Sequence, residues 1–244
     1  MKQDIDKVLR NWDYRPGNVQ TRMVEGSDGR QVIQLRLDLG LLQMEKLGRP
    51  DGTRPQGFGT YLECLKNRAR QCEHTGREFE LSEENAEECD RELIQFYHRR
   101  ICWLALENFA RAVADADHTL ALMDFIRDHS EDDDYIQSRE QYRGFVLFQR
   151  TQASAALHLE REDPEGAIDE IRNGIEVLEE LHGPLEYEED GISAPMTVHL
   201  QGMELAIREK HKIGETLQEQ LAKAVANEQY EKAAELRDAL RRKP

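Results

Sequence analysis

The sequence lacks most of the signatures that mark a chain for chemistry. It has no GxxxxGK[ST] phosphate loop, no Gly-x-Gly-x-x-Gly turn and no Gly-x-Ser-x-Gly elbow. Helicase-type ATP hydrolysis is therefore not expected. No apolar run approaches the 18 residues that a membrane span needs. The four cysteines, Cys64, Cys72, Cys89 and Cys102, contain no CxxC pair. Cys72-Glu73-His74 and His98 with Cys102 each offer only two metal ligands, short of the four of a structural zinc site. Met1-Lys-Gln-Asp-Ile-Asp is charged from the start, unlike a signal peptide. The thiols are thus expected to be reduced and mostly buried, and the location cytoplasmic. Positive charge is also scarce. There are 33 Lys and Arg against 49 Asp and Glu, a net charge of −16. Residues 1–60 hold ten basic and eight acidic residues, and residues 61–244 hold 23 and 41. So acidic a body repels phosphate backbones, which argues against direct nucleic-acid binding by the main domain.

What is present is mainly helical periodicity. Residues 5–14 suggest a short helix, stopped by Arg15-Pro16-Gly17. Val19, Thr21 and Met23 alternate, as do Ile33, Leu35, Leu37 and Leu39, with Ser27-Asp28-Gly29 between the runs. That pattern predicts a β-hairpin with strands near 18–25 and 31–39. Gly48 to Gly59 holds four glycines and two prolines and reads as a loop. Within it, Arg49 and Arg54 are candidates to clamp a carboxylate or phosphate, or to bind the acidic body of the protein itself. From Thr60 onward the spacing is helical. Helices are expected from Tyr61 to about Cys72, from a Ser82 N-cap through Leu106, over about 108–129, and near 136–160, 164–182 and 194–212. Between the last two, residues 182–191 read as a solvated acidic connector opened by Gly183-Pro184.

Two stretches share a layout. In each, a helix with bulky apolar residues enters a polar turn, and an alanine then opens a second helix: Ala112 in FARA, Ala167 in PEGA. This resembles a tetratricopeptide repeat, a helix–turn–helix unit that stacks on its neighbours. Phe96 and Trp103 fall on the aromatic positions of the first unit, and Ala155 on the small position of the second. Thr151 and His158 replace the aromatics of the second, and the anchor alanines are 55 residues apart rather than the family's usual 34. An irregular helical bundle fits the same residues. The resemblance implies binding rather than catalysis.

The most specific segment is the last. Ile213, Leu217, Leu221, Ala224 and Val225 form one apolar stripe. Asn227-Glu228-Gln229 makes a polar turn, and Tyr230, Ala233, Ala234, Leu236 and Leu240 form a second stripe. The pattern predicts a short antiparallel helical hairpin. The order E-x-Y-E-x-A-A-E-L-R-D, from Glu228 to Asp238, resembles the UVR motif shared by the excision-nuclease subunits UvrB and UvrC. The likeness covers about 28 of the 244 residues. No helicase or nuclease body, CxxC zinc module or Clp-type ATPase module accompanies it. The Asp38–Pro55 block resembles part of an uncharacterised bacterial family of UVR-motif proteins.

The resemblance implies attachment to another UVR-bearing protein, of UvrB/UvrC or Clp type, or self-association. The residues expected to carry it are Leu217, Leu221, Val225, Tyr230, Ala233, Ala234, Leu236, Arg237 and Leu240. Ordering about 28 residues costs roughly 40 kcal/mol, and so few apolar residues offset at best a similar amount. The hairpin is therefore expected to dock on something. The expected architecture is mainly α. Residues 1–59 form a helix, β-hairpin and loop, 60–212 a tetratricopeptide-like body, and 213–244 the helical hairpin. The expected function is a non-enzymatic adaptor without cofactor. The alternative is an enzyme or small-ligand-binding protein with a site near Arg49 and Arg54, between the N-terminal hairpin and the helices.

Overall fold

The computed structural model describes residues 4–182 and 193–242. The chain divides into two compact units, residues 1–146 and 147–244, with the division inside one helix.

The first unit begins with a short helix, α1 (Asp6–Leu9), and a sheet of β1 (Thr21–Glu25), β2 (Gln31–Leu37) and β3 (Gly40–Glu45). Both strand pairs are antiparallel, in the order β1-β2-β3. The expected hairpin is present, and β3 adds a strand that the sequence pattern did not announce. Leu41 and Leu42 are adjacent rather than alternating, so the period-two signal is broken. The alternation also ran two residues too far. Leu39 sits in the β2–β3 turn and is 93% exposed.

The central strand is covered on both faces. Ile33, Leu35 and Met44 point to one, buried side. On the other, Arg22 donates to Gln34 at 2.9 Å and Gln34 to Gln43 at 3.1 Å, a polar ladder across all three strands. Residues 8–12 cover it. The Arg22 guanidinium lies 3.9 Å from the Trp12 ring and donates to the Val8 carbonyl, while Arg36 donates to the Trp12 carbonyl at 2.8 Å.

Four helices complete this unit: α2 (Tyr61–His74), α3 (Glu83–Ala105), α4 (Phe109–His129) and α5 (Asp133–Glu140). Each has an N-cap side chain accepting a backbone N–H: Thr60, Ser82, Asn108 and Asp132 respectively. The expected helix over 136–160 is two helices, because Asp132 caps α5 and the next, α6 (Arg143–Glu160), starts after a break at Gln141-Tyr142. Leu62, Leu65, Cys89, Leu122 and Ile126 anchor the apolar core. Charged groups are buried beside it. Arg99 forms a two-point pair with Asp115 at 2.8 and 2.7 Å and donates to the carbonyls of Glu45 and Gly48, tying α3, α4 and the end of the sheet together. Arg100 is 2% exposed, and burial pulls its pKa down to about 10.

The second unit contains most of α6, then α7 (Pro164–His182), α8 (Ser193–His211), α9 (Leu217–Ala226) and α10 (Tyr230–Arg242). Ala155, Ile168, Ile171, Leu178 and Leu200 are buried in its core. Helices α6 and α7 approach closely at Gly174, where a β-carbon would lie 2.3 Å from the Thr151 hydroxyl. The anchor alanines, Ala112 and Ala167, are both fully buried, as are Phe96, Trp103 and Ala155. The expected acidic connector at 183–191 lies outside the described residues. No helix among the described residues is long and apolar enough to cross a membrane.

Candidate partner-binding hairpin

Helices α9 and α10 form the expected antiparallel pair. The turn between them, Asn227-Glu228-Gln229, places Glu228 in the left-handed region at φ 56°. It closes with Gln229 N–H on the Ala224 carbonyl at 2.8 Å. The two helices meet at small residues. Ala224 is 2% exposed and Ala233 8%. Ala233 lies in the seam, whereas Ala234 faces solvent. Leu217, Leu221, Leu236 and Leu240 are half-buried, and Val225, Tyr230 and Arg237 are exposed. Tyr230 is 68% exposed, an uncovered ring at the mouth of the turn. Beside the α9–α10 seam lies a polar cleft of about 270 Å³ lined by Gln220, Lys223, Asn227, Gln229 and Lys232.

The base of this hairpin is fastened, and by residues the sequence reading did not single out. Thr216 is the N-cap of α9 and is completely buried. It makes a full capping box with Glu219: the Glu219 N–H donates to the Thr216 hydroxyl at 3.2 Å, and the Thr216 N–H donates to the Glu219 carboxylate at 2.6 Å. The Thr216 hydroxyl donates in turn to Asp169 on α7 at 2.7 Å. Glu219 also accepts from Arg208 on α8 at 2.8 Å and from Arg172 on α7. Arg208 reaches the Gly214 carbonyl as well. Burial pushes the Glu219 carboxyl up, but the Thr216 N–H and the two guanidiniums outweigh it and hold its pKa below the ordinary value. The Thr-x-x-Glu spacing was a legible sign of this cap. Its link to Asp169, 47 residues earlier, was not.

The other candidate residues lie in the first unit. Arg49 is turned inward and 4% exposed. It donates to Glu88 at 2.8 Å and lies 3.3 Å from Asp51 and 3.7 Å from Glu92. Arg54 is exposed on the loop, so the two guanidiniums are not in the same surroundings. Glu92 is the centre of the buried cluster. It is 0% exposed, accepts the N–H groups of Tyr61 and Leu62 at the start of α2, and bonds His118 at 2.9 Å. The His118 ring stacks on Phe96 at 3.7 Å. This carboxylate holds the start of α2 to α3 and α4, which is a structural task. No three His, Cys, Asp or Glu among the described residues are grouped to hold a metal. Burial pushes the Cys89 thiol to about 12 and Cys102 to about 11, which leaves both protonated and unreactive at neutral pH.

Comparison with known proteins adds one match. Residues 215–243 match the family described as the UvrB/uvrC motif, which covers the capped start of α9 and all of α10. Neither the curated proteins nor the solved structures contain a match to the chain. The terminal hairpin is thus a UVR motif.

Proposed function

We propose that this protein is a non-enzymatic adaptor that holds a partner protein through the α9–α10 hairpin. The carrying observation is the contrast between the hairpin's base and the rest of its surface. Thr216 and Glu219 fix the base to α7 and α8, while Val225 and Tyr230 stay exposed and four leucines stay half-exposed. An exposed amphipathic ring and half-buried leucines suit a protein interface, where Tyr supplies contact area and a polar tip. The motif supports the same reading, because UVR hairpins mediate protein interactions. The partners it fits are another UVR-bearing protein, of UvrB/UvrC or Clp type, or a second hairpin of the same kind. The cytoplasm is the compartment that suits four free thiols, three of them buried. Membership in DNA repair does not follow, since the motif describes attachment alone.

Native complexes recovered with the full chain and with a 1–212 truncation test the reading. The co-purifying partner should be lost with the truncation. Tyr230→Ala in the full chain should weaken partner binding about tenfold or more. That substitution should change folding stability by less than about 0.5 kcal/mol, because the side chain is exposed. Identical partners and an identical oligomeric state for the two chain lengths would overturn the proposal.

A further inference from the structure

Helix α8 has two apolar faces with the same periodicity. Met196, Leu200, Met203 and Ile207 point inward, and three of the four are fully buried. Two residues further on, about 200° round the helix, lies a second stripe: Val198, Gly202, Leu205 and Glu209. Val198 is 65% exposed and Leu205 59%. Gly202 has nothing within 4 Å of the place where a β-carbon would sit. Ala206 is exposed beside them. A helix that is apolar on both sides is normally covered on both.

The charge on this stripe indicates what covers it. Its only acidic position is Glu209, near the C-terminal end of the helix. A second α8 laid parallel would set Glu209 against its own copy. Laid antiparallel and crossing at Gly202, positions equally far from that glycine face each other. Val198 then meets Ala206, four residues to either side, so a branched side chain packs on a small one. Leu205 meets His199, three residues to either side. Glu209 meets Pro195, seven to either side, and its carboxylate lies at the positive first turn of the second helix. The face is complementary to itself, as a two-fold interface requires.

We propose that α8 is a homodimerisation helix, pairing antiparallel with α8 of a second copy through Val198, Gly202, Leu205 and Ala206. This pairing stands independently of the hairpin reading. Helix α8 has 19 residues and is about 28 Å long at 1.5 Å per residue. One such face falls short of the roughly 800 Å² per partner of a stable complex, so the dimer is a weak one. Its consequence is two hairpins per assembly, and a bivalent partner would then bind far more tightly than a monovalent one.

Sedimentation velocity on the full chain, from about 1 to 300 μM, tests the pairing across the range expected for so small an interface. The mass should rise from the 28.3 kDa monomer toward twice that value. Val198→Glu and Leu205→Glu should each weaken association at least about tenfold, with unchanged circular dichroism and thermal midpoint. Glu209→Lys should weaken it too. Tyr230→Ala, on the hairpin, should leave it as in the wild type. A Gly202→Cys chain, oxidised, should give a covalent dimer joined at position 202, read by peptide mass spectrometry. A wild-type chain that stays monomeric throughout, or dimerisation that survives Leu205→Glu, would overturn the proposal. So would dimerisation lost with Tyr230→Ala, or a Gly202→Cys chain that does not cross-link at that position.

Discussion

The hydroxyl of Thr216 is completely buried and donates to the Asp169 carboxylate at 2.7 Å. This one bond joins the N-cap residue of the UVR hairpin's first helix to α7. Removing the hydroxyl takes away both the cap of α9 and the tether to α7. Thr216→Val should loosen the hairpin by about 2–3 kcal/mol, the sum of a lost N-cap and a lost hydrogen bond to a charged group. Amide hydrogen exchange over residues 217–242 should speed up accordingly, while α7 keeps its protection. Thr216→Ser retains the hydroxyl and should exchange nearly as the wild type does. Equal loosening by Val and Ser would show that the hydroxyl is not the tether.

The second fastening of the hairpin, through Glu219, should weaken in acid. The Glu219 carboxyl has a lowered pKa in the folded chain. A group of that kind binds its proton more readily when unfolded. Its contribution is complete above the ordinary glutamate value and is lost as pH falls through the lowered one. Hairpin protection should therefore be flat from neutral pH down to the ordinary glutamate range and fall below it. Glu219→Gln should flatten that acid limb. An acid limb of the same depth in Glu219→Gln would assign it to other carboxylates.

Glu92 carries comparable weight in the first unit. Its carboxylate accepts two helix-start N–H groups and one histidine, with Arg49 close by. Glu92→Ala leaves these donors buried without it. The cost should be about 3–5 kcal/mol, as for breaking a buried charged pair. Urea denaturation monitored by fluorescence of the two tryptophans, Trp12 and Trp103, both in that unit, measures it. A loss under about 1 kcal/mol, the worth of an exposed pair, would mean that water replaces the carboxylate.

Gly174 sets the spacing of α6 and α7. A β-carbon there meets the Thr151 hydroxyl at 2.3 Å and its methyl at 2.5 Å. Gly174→Ala should destabilise the second unit by about 1–3 kcal/mol, although alanine is the better helix former. Adding Thr151→Ala removes both of those atoms and should recover part of the loss in calorimetry. A Gly174→Ala chain more stable than the wild type would mean that the helices separate at little cost.

How much the sequence disclosed differs from element to element. The two helices of the terminal hairpin were legible, because two apolar stripes and the order from Glu228 to Asp238 are local signals, but the bond from Thr216 to Asp169 that fastens them was not. The Ser82 cap and the β1–β2 turn at Asp28-Gly29 were legible too. Strand β3 was not, since adjacent Leu41 and Leu42 carry no alternation. The interior of α3 was legible only in part. Leu93, Phe96, Tyr97, Ile101, Leu104 and Leu106 recur at three and four residues and fit one buried face, whereas the structure also buries Glu92, Arg99 and Arg100 and leaves Tyr97 38% exposed. A charged residue can be buried only if partners distant in sequence satisfy it, and spacing does not reveal those partners.

The sequence by itself determined that this chain is mainly helical, that it carries a β-hairpin ahead of its long helices, and that its last segment is a UVR motif. These follow from repeats of two, three and four residues, which each segment carries alone. Tertiary structure decided the rest. It set Thr216 on Asp169, put Arg49 against Glu88, and left Val198 and Leu205 facing out from α8. Those outcomes depend on which helices lie side by side, and that is fixed by the shapes of buried side chains far apart in the chain.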